Sequence, residues 1–299
     1  MNIYIYPHIG DIRIDKITTT DIQVLLNKLS ERLAPATVAG VRRRLNTLFN
    51  MAIKHTILNR NPVIYTDAPR AKDIEIKIFT EEEIQKIFIT AQRQIEYAKI
   101  HKKEIMFLKR SYYALLVFLF YSGCREMEAF GLQLQHLNIA SQTAEIRKAL
   151  VIMPQHKPFL DAPKTKRSNR NIKLPRNAIT ILSEWLSYQK LWSDKWKNIY
   201  QNDLGLVFTN SVGAPILPSN YIRRYWKPLL AEAGVPYRKI HTIRHTHASL
   251  LLMRGTSPVI VSQRLGHSAV SVTMNVYAHA LPDMQDKAVQ ELDELHLGI

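Results

Sequence analysis

Apolar residues recur at helical spacing along most of this chain, and that period constrains its fold more than any other feature. The clearest case is VAGVRRRLNTLFNMAIKH, in which the apolar residues fall on one side of a helix. Over residues 138–174 the period shifts towards two, so TAEIRKALVIM and NRNIKLP are predicted strands joined through a basic turn at residues 163–169. These patterns predict a mainly helical chain with one small antiparallel sheet.

A change of composition divides the chain into two parts. The segment DAPRAKDIEIK, residues 67–77, is charged and shows no clear period, which is typical of a linker. A chain of 299 residues is long enough for about two domains. We therefore predict a helical domain over residues 1–72, a linker over residues 73–78 and a second domain over residues 79–299 that ends in an amphipathic tail helix.

The charge balance indicates a polyanionic partner. Lysine and arginine exceed aspartate and glutamate by 16, and the sequence pI is about 9.8. Solubility alone could account for such an excess, but a basic surface also attracts nucleic acid and supplies contacts to phosphates. Nucleic acid is therefore the predicted partner.

Three features bear on the compartment and on membrane association. Cys124 is the one cysteine, which excludes an internal disulfide and fits a reducing environment, so the cytoplasm is the predicted location. The N-terminus shows no signal peptide. The most apolar run, residues 112–121, has about half the ~20 residues of a membrane helix and is predicted to be a buried helix. We expect no membrane partner.

The segment from residue 241 to residue 279 concentrates chemically active side chains. In HTIRH, His241 and Arg244 are three positions apart and share one face of a helix. A short predicted helix ends at the LGH turn, which presents His267, and Tyr277 follows further along the chain. One arginine, two histidines and a tyrosine form a plausible site for anion binding and nucleophilic attack.

Two upstream segments could contribute to the same chemistry, although each has an ordinary structural interpretation. In SGCREME, Arg125 precedes Glu128 by three positions, which is also the spacing of a simple ion pair, and Cys124 is a packed thiol more readily than a nucleophile. In the basic turn, Lys164 competes with Lys166 for a role at the site, and either could belong to a solvated hairpin tip.

Taken in order, SGCREME, the Lys164-Thr165 turn, HTIRH with LGH, and the tyrosine ahead of Ala-His resemble the motifs of the tyrosine recombinases, the phage-integrase superfamily. The segments IYPHIGDIRIDKITTTDIQ and APATVAGVRRRLNTLFNMAIKHTILNRNPV are similar to the core-binding domain of phage and conjugative-transposon integrases. The resemblance runs from about residue 4 to about residue 280. It implies an α+β fold that is mainly α with a small antiparallel sheet, in which a helical core-type DNA-binding domain precedes the catalytic domain.

The resemblance also implies a reaction. The tyrosine attacks a phosphodiester to give a 3′-phosphotyrosyl bond and a free 5′-hydroxyl, and paired strand exchanges pass through a Holliday junction. Arg125 and Arg244 bind the nonbridging oxygens. His241 acts as base and His267 donates to phosphate, while the hairpin lysine, Lys164, protonates the leaving oxygen. Neither a metal nor another cofactor is expected. The catalytic set comprises Arg125, Lys164, His241, Arg244, His267 and Tyr277.

The implied function is site-specific DNA recombination, as the integrase or excisionase of a phage or integrative mobile element. The expected partners are double-stranded attachment sites, sister protomers in a tetramer that exchange the tail at residues 283–297, and an accessory excisionase or host DNA-bending protein. Such integrases often carry a further arm-binding domain, for which too few residues precede the core-type domain here, so we expect none within this sequence and leave open whether one is missing from it. The predicted DNA contacts are Thr37, Arg42, Arg43, Lys54, Lys166 and Arg167.

Three alternatives remain open. The chain could be a Xer-type or transposon resolvase, or a non-catalytic DNA-binding relative. Zinc could be held by His241, His245 and His247, but the glutamate of HExxH is missing and Arg244 would place a permanent charge beside the metal. The latter two histidines are predicted to pack behind the site.

Overall fold

The computed structural model describes residues 3–67, 77–101, 103–162 and 169–277, together with residues 289, 293 and 294. Two compact units divide the chain, Met1–Glu75 and Ile76–Ile299. The predicted linker, residues 73–78, lies mostly outside the described residues, so its bounds stay a prediction.

Within the described residues of the first unit, the helices are α1 (Tyr6–Ile9), α2 (Thr19–Ser30) and α3 (Pro35–Lys54). Helix α2 begins at a capping box, in which Thr18 and Asp21 each accept the other's backbone N–H. The predicted apolar side of α3 packs on α2 in a small core. Its fully buried members include Ile22, Leu25, Leu26, Leu29, Val38, Leu45 and Phe49.

The second unit is built around a central apolar helix. The long helices of its first half are α4 (Glu81–His101) and α5 (Lys103–Ser122), and α5 packs between α4 and α7 (Arg176–Lys195). Helix α5 extends beyond the predicted run. Its segment Ile105–Ser122 has the length and composition of a membrane span, yet 72% of it is buried inside the protein. The prediction of a buried helix is confirmed.

Short helices complete the second unit. They are α6 (Glu126–Phe130), α8 (Pro218–Tyr221), a π-helical turn (Ile222–Trp226), α9 (Lys227–Glu232), α10 (Thr242–Met253), α11 (Pro258–Leu265) and α12 (Val270–Tyr277).

In the described residues the β-structure forms two sheets where one was predicted. A three-stranded antiparallel sheet has the order β1 (Leu137–Asn138), β2 (Thr143–Ile146), β5 (Arg170–Lys173), and β3 (Ala149–Val151) pairs separately with β4 (Phe159–Asp161). The single predicted strand TAEIRKALVIM is therefore wrong, since it is split between two sheets.

The cause of the split is the charge of Lys148. Strict alternation would place this residue on the buried face with Ala144 and Ile146, whereas its side chain is exposed. The chain leaves the first sheet there. Lys164, Lys166 and Arg167, in the predicted turn that precedes β5, lie outside the described residues.

Candidate active site

The turn that ends α11 organises the site. Gly266 caps this helix with a φ of 68°, in the left-handed region that favours glycine. A Cβ added to Gly266 would lie 2.9 Å from Nη1 of Arg170. Backbone conformation and the close side chain both require glycine in the LGH motif.

Three successive carbonyl groups of this turn each accept a hydrogen bond from a different arginine. We call residues 264–266 the carbonyl turn. The pairs are Arg170 Nε with the Arg264 oxygen at 2.7 Å, Arg244 Nη2 with the Leu265 oxygen at 2.8 Å, and Arg125 Nη2 with the Gly266 oxygen at 3.4 Å. One turn thus gathers three guanidiniums from β5, α10 and the start of α6.

Arg125 stands immediately before α6 and combines an ion pair with an exposed guanidinium. Its backbone N–H donates to Glu128 Oε2 at 2.8 Å, and its Nη1 lies 3.1 Å from Glu128 Oε1. The Arg125 side chain is 43% exposed, whereas that of Glu128 is 5% exposed. The predicted alternative, a simple ion pair, is therefore present, and the guanidinium remains open to an incoming anion.

Glu128 stays ionised despite its burial. Desolvation raises the pKa of its carboxyl, but hydrogen bonds and charge from Arg170, with those of Arg125, more than offset this effect and lower the pKa below its ordinary value. Arg170 Nη2 approaches Glu128 Oε2 to 2.7 Å. Glu128 is thus shared between two arginines.

Arg244 is a buried cation of the site. On α10 it is 4% exposed, and its Nη1 donates to the Gly123 carbonyl at 2.9 Å. Burial, followed by the charge of Arg125, lowers the pKa of Arg244 to about 10, so it remains charged at neutral pH. Together with the bond to the Leu265 carbonyl, two of the five N–H donors of Arg244 are fixed by backbone carbonyls.

The histidines beside these cations are held neutral. Burial, then the charges of Arg244 and Arg125, lowers the pKa of His241. Burial, then the same two charges, lowers the pKa of His267 to about 4. A neutral imidazole has one nitrogen that can accept a proton, as a general base requires.

His267 is oriented by a neighbouring hydroxyl. Its Nδ1 lies 2.7 Å from Oγ1 of Thr273, a buried residue of α12. With Thr273 donating to Nδ1, the proton of the neutral ring is on Nε2, which suits donation to a phosphate. Tyr277 closes α12, one helical turn beyond Thr273, but its side chain lies outside the described part of the structure.

The predicted DNA contacts of the first unit do not share one environment. Thr37, Arg43 and Lys54 are exposed on α3. Arg42 is half-buried, and its guanidinium donates to the carbonyls of Val63, Ile64 and Thr66 and to the Thr66 hydroxyl. The guanidinium of Arg42 closes the loop after α3, and its role as a DNA contact stays a prediction.

Two arginines of the site, Arg170 and Arg264, were not predicted. A signal for Arg170 did exist, because strand alternation places it on the buried face with Ile172. Arg264 donates from Nε to Nε2 of His247 at 3.0 Å, and Nδ1 of that ring is 2.8 Å from the Phe120 carbonyl. Both nitrogens of His247 are therefore occupied, which leaves that ring no lone pair for zinc.

Cys124 is a packed thiol. It is buried, and burial, followed by the charge of Glu128, raises its pKa to about 11. The thiolate that nucleophilic chemistry requires is therefore scarce at neutral pH. The described part of the site can bind an anion through two guanidiniums and can exchange protons through neutral imidazoles.

Comparisons with known proteins show which family the sequence matches. A model of the Phage integrase family matches residues 77–284, and a model of the Phage integrase central domain matches residues 1–67. The chain is 32% identical to a Tyrosine recombinase XerC-like protein of Caldanaerobacter subterraneus, over 96% of this chain and 73% of that protein. It is 26% identical to the ICEBs1 integrase of Bacillus subtilis, over 97% and 76% of the two chains.

A solved structure shares the fold. The Tn1549 transposon integrase in complex with transposon right end DNA superposes with a TM-score of 0.73 at 21% identity, covering 96% of this chain and 88% of that one. At this identity the likeness concerns the fold alone, and it confirms the predicted mainly helical architecture with antiparallel β-structure.

Proposed function

Because this chain belongs to the phage integrase family of tyrosine recombinases, we propose that it is the integrase or excisionase of an integrative element and that its carbonyl turn holds the phosphate-binding cations. It is an enzyme that cleaves and rejoins DNA. The observation that carries the assignment of the site is the convergence of Arg125 and Arg244 on the consecutive carbonyls of Gly266 and Leu265.

The two arginines would bind the nonbridging oxygens of the scissile phosphate. Attack on phosphorus adds charge to these oxygens, and a guanidinium donates to them through a planar fork without losing its proton. The backbone bonds of Arg244 fix its position before DNA arrives, so no reorganisation is needed at the moment of reaction. His267 would add a neutral donor from Nε2.

Tyr277 would supply the nucleophile. Its phenol is a weak nucleophile at neutral pH, since the ordinary pKa is about 10. His241, held neutral by burial, would accept the phenolic proton as the oxygen–phosphorus bond forms and the bond from phosphorus to the 5′ oxygen breaks. Lys164 would return a proton to that 5′ oxygen, with Lys166 as its competitor.

The covalent intermediate removes the need for an external energy source. The phosphotyrosyl linkage retains the energy of the phosphodiester, so the 5′-hydroxyl of a second strand can displace the tyrosine and restore the backbone. Two such exchanges resolve a Holliday junction. The scheme consumes neither ATP nor metal.

The remaining partners are also part of the proposal. The enzyme would bind attachment-site duplexes through the exposed face of α3 that carries Thr37, Arg43 and Lys54, and would work in the cytoplasm. Four protomers would assemble on DNA, with the tail at residues 283–297 exchanged between neighbours. An excisionase or a host DNA-bending protein would set the direction.

A Xer-type role is the second candidate, and one observation favours it. The relative that is 32% identical to this chain is described as XerC-like. A resolvase would act on a chromosomal site wherever the gene is placed, whereas an integrase acts on the junctions that flank its own element.

The test is recombination in vitro between duplexes that carry those flanking junctions, with EDTA present and nucleotide omitted. We expect recombinant duplexes that form through a four-way junction. A requirement for ATP or divalent metal would overturn the transesterification mechanism. Recombination of chromosomal resolution sites but not of the flanking junctions would favour the Xer-type role.

A further inference from the structure

Arg170 contacts both Glu128, which pairs with Arg125, and the carbonyl turn, which holds Arg125 and Arg244. Its side chain is 6% exposed and donates to both carboxylate oxygens of Glu128, with Nη2 at 2.7 Å and Nη1 at 3.2 Å. Its Nε donates to the Arg264 carbonyl at 2.7 Å. Every nitrogen of its guanidinium thus donates to Glu128 or to the carbonyl turn, so its effect on the reaction passes through these neighbours.

The first effect is on charge. Arg125 faces the anion site, but Glu128 lies beside it with a full negative charge. Alone, this pair is neutral and offers a phosphate little attraction. With Arg170 on the same carboxylate, the three residues carry a net charge of about +1, and the exposed member of the group is Arg125.

The second effect is on geometry. Glu128 Oε2 accepts from Arg170 Nη2 and from the Arg125 backbone, so the carboxylate is held from two sides. Nε of Arg170 donates to the Arg264 carbonyl, the first of the carbonyl turn. The next two carbonyls of that turn accept from Arg244 and Arg125. One buried side chain thus fixes the carboxylate and the turn relative to each other.

We propose that Arg170 is a positioning residue for strand cleavage, which leaves the charge of Arg125 uncompensated and keeps its guanidinium aimed at the phosphate by sharing Glu128 and by holding the carbonyl turn. This inference rests on the proposed function, in which Arg125 binds the scissile phosphate.

Two substrates test whether Arg170 acts through charge on the phosphate. One is a nicked attachment-site duplex with an ordinary phosphodiester. The other is the same duplex with a methylphosphonate at the scissile position, where an uncharged methyl replaces one nonbridging oxygen and reduces the need for a cation. For Arg170→Gln we expect unchanged DNA affinity and cleavage of the phosphodiester slowed about 10²-fold, with most of that defect absent on the methylphosphonate.

A double variant separates charge from folding. Arg170→Gln leaves Glu128 facing Arg125 alone, whereas Arg170→Gln with Glu128→Gln removes both buried charges and leaves the charge of Arg125 uncompensated. We expect the double variant to cleave the phosphodiester faster than Arg170→Gln and to melt at a higher temperature. Arg147→Gln, which removes a half-buried arginine from the loop after β2, is the matched control and should cleave at the wild-type rate.

The outcomes are distinct. Wild-type cleavage by Arg170→Gln, an equal loss on both substrates, or a double variant no faster than Arg170→Gln would each overturn the inference. Absence of any covalent adduct with the wild-type enzyme would instead overturn the proposed function.

Discussion

Nη2 of Arg244 donates a 2.8 Å hydrogen bond to the carbonyl oxygen of Leu265, so a cation on one helix is fixed by the last residue of the next helix. The opposite nitrogen, Nη1, is fixed by Gly123 at 2.9 Å. A guanidinium anchored through both of its terminal nitrogens is held in one position relative to the carbonyl turn. Preorganisation of this kind is what electrostatic catalysis requires.

The anchoring predicts how Arg244 responds to substitution. Arg244→Ala should slow cleavage by about 10²- to 10³-fold while DNA affinity changes little, and Arg244→Lys should be nearly as slow, because one ammonium cannot bridge two carbonyls. Arg125→Ala should also lose cleavage more than binding. Single-turnover cleavage and a parallel binding titration measure the two effects.

Arg254→Ala is the control for these arginine variants. It removes an exposed arginine from the C-terminal end of the same helix, where Arg254 pairs with Glu81. It should cleave normally. Loss of affinity equal to loss of cleavage in Arg244→Ala and Arg125→Ala would contradict their assignment to the reaction.

The arginines of α3 are expected to divide between folding and DNA binding. Arg42→Ala removes the hydrogen bonds that close the loop at residues 63–66, so it should lower the melting temperature of the protein. Arg43→Ala should leave the melting temperature unchanged and reduce the slope of log affinity against log salt by about 0.9 for each phosphate that the variant no longer neutralises. Similar melting curves for the two variants would contradict this division.

Buried neutral histidines predict a stability that depends on pH. Burial, then the charge of Arg264, lowers the pKa of His247 to about 4, while the unfolded value is about 6.5. Between these pH values the unfolded chain binds more protons than the folded chain. The free energy of unfolding should therefore be fully present above pH ~6.5 and fall as the pH decreases towards ~4.

The matched variant for this dependence is His247→Asn, which retains a donor for the Phe120 carbonyl and cannot titrate. Its free energy of unfolding should fall less steeply, by about 1.4 kcal/mol per pH unit at most for the one proton removed. Denaturant unfolding at a series of pH values measures both slopes. Identical slopes in the two proteins would show that the ring is already protonated or does not contribute.

The contact between Thr273 and His267 allows a test of the His267 tautomer. Thr273→Val keeps the shape of the side chain but removes the hydroxyl that lies 2.7 Å from Nδ1. Cleavage should fall about tenfold, the effect of removing one hydrogen bond of about 1.4 kcal/mol. Thr273→Ser keeps the hydroxyl and should retain most of the activity. Equal rates for the valine and serine variants would exclude an orienting role.

Local patterns were sufficient to predict much of the fold. Helices α3 and α5 follow from an apolar side and an apolar run, because their packing partners need only be apolar. The segment TAEIRKALVIM was misjudged because its alternation continues through Lys148, whose charge is costly to bury and whose side chain is exposed. The position where a strand leaves a sheet depends on this desolvation cost, which the period alone does not show.

The candidate site was partly predictable for a related reason. Arg125, His241, Arg244 and His267 stand in motifs whose local spacing is recognisable. The structure brings Arg125 and Arg244 to the turn that precedes His267, and their charges lower the pKa of His241. Arg170 was missed because its partners, Glu128 and the Arg264 carbonyl, are distant in sequence. The loop carbonyls that Arg42 binds were also missed, because nothing in its helix reveals them.

The most direct test of the account is covalent trapping on a nicked attachment-site duplex, in which the short 5′ product diffuses away and the cleaved intermediate accumulates. The wild-type protein should yield a denaturation-resistant adduct whose DNA-linked peptide contains Tyr277, attached through a 3′-phosphate. Tyr277→Phe, which removes one oxygen, should bind the same duplex and form no adduct. An adduct that persists in Tyr277→Phe, or a linkage to the 5′ end, would contradict the central claim that this phenol and the arginines of the carbonyl turn act on one phosphate.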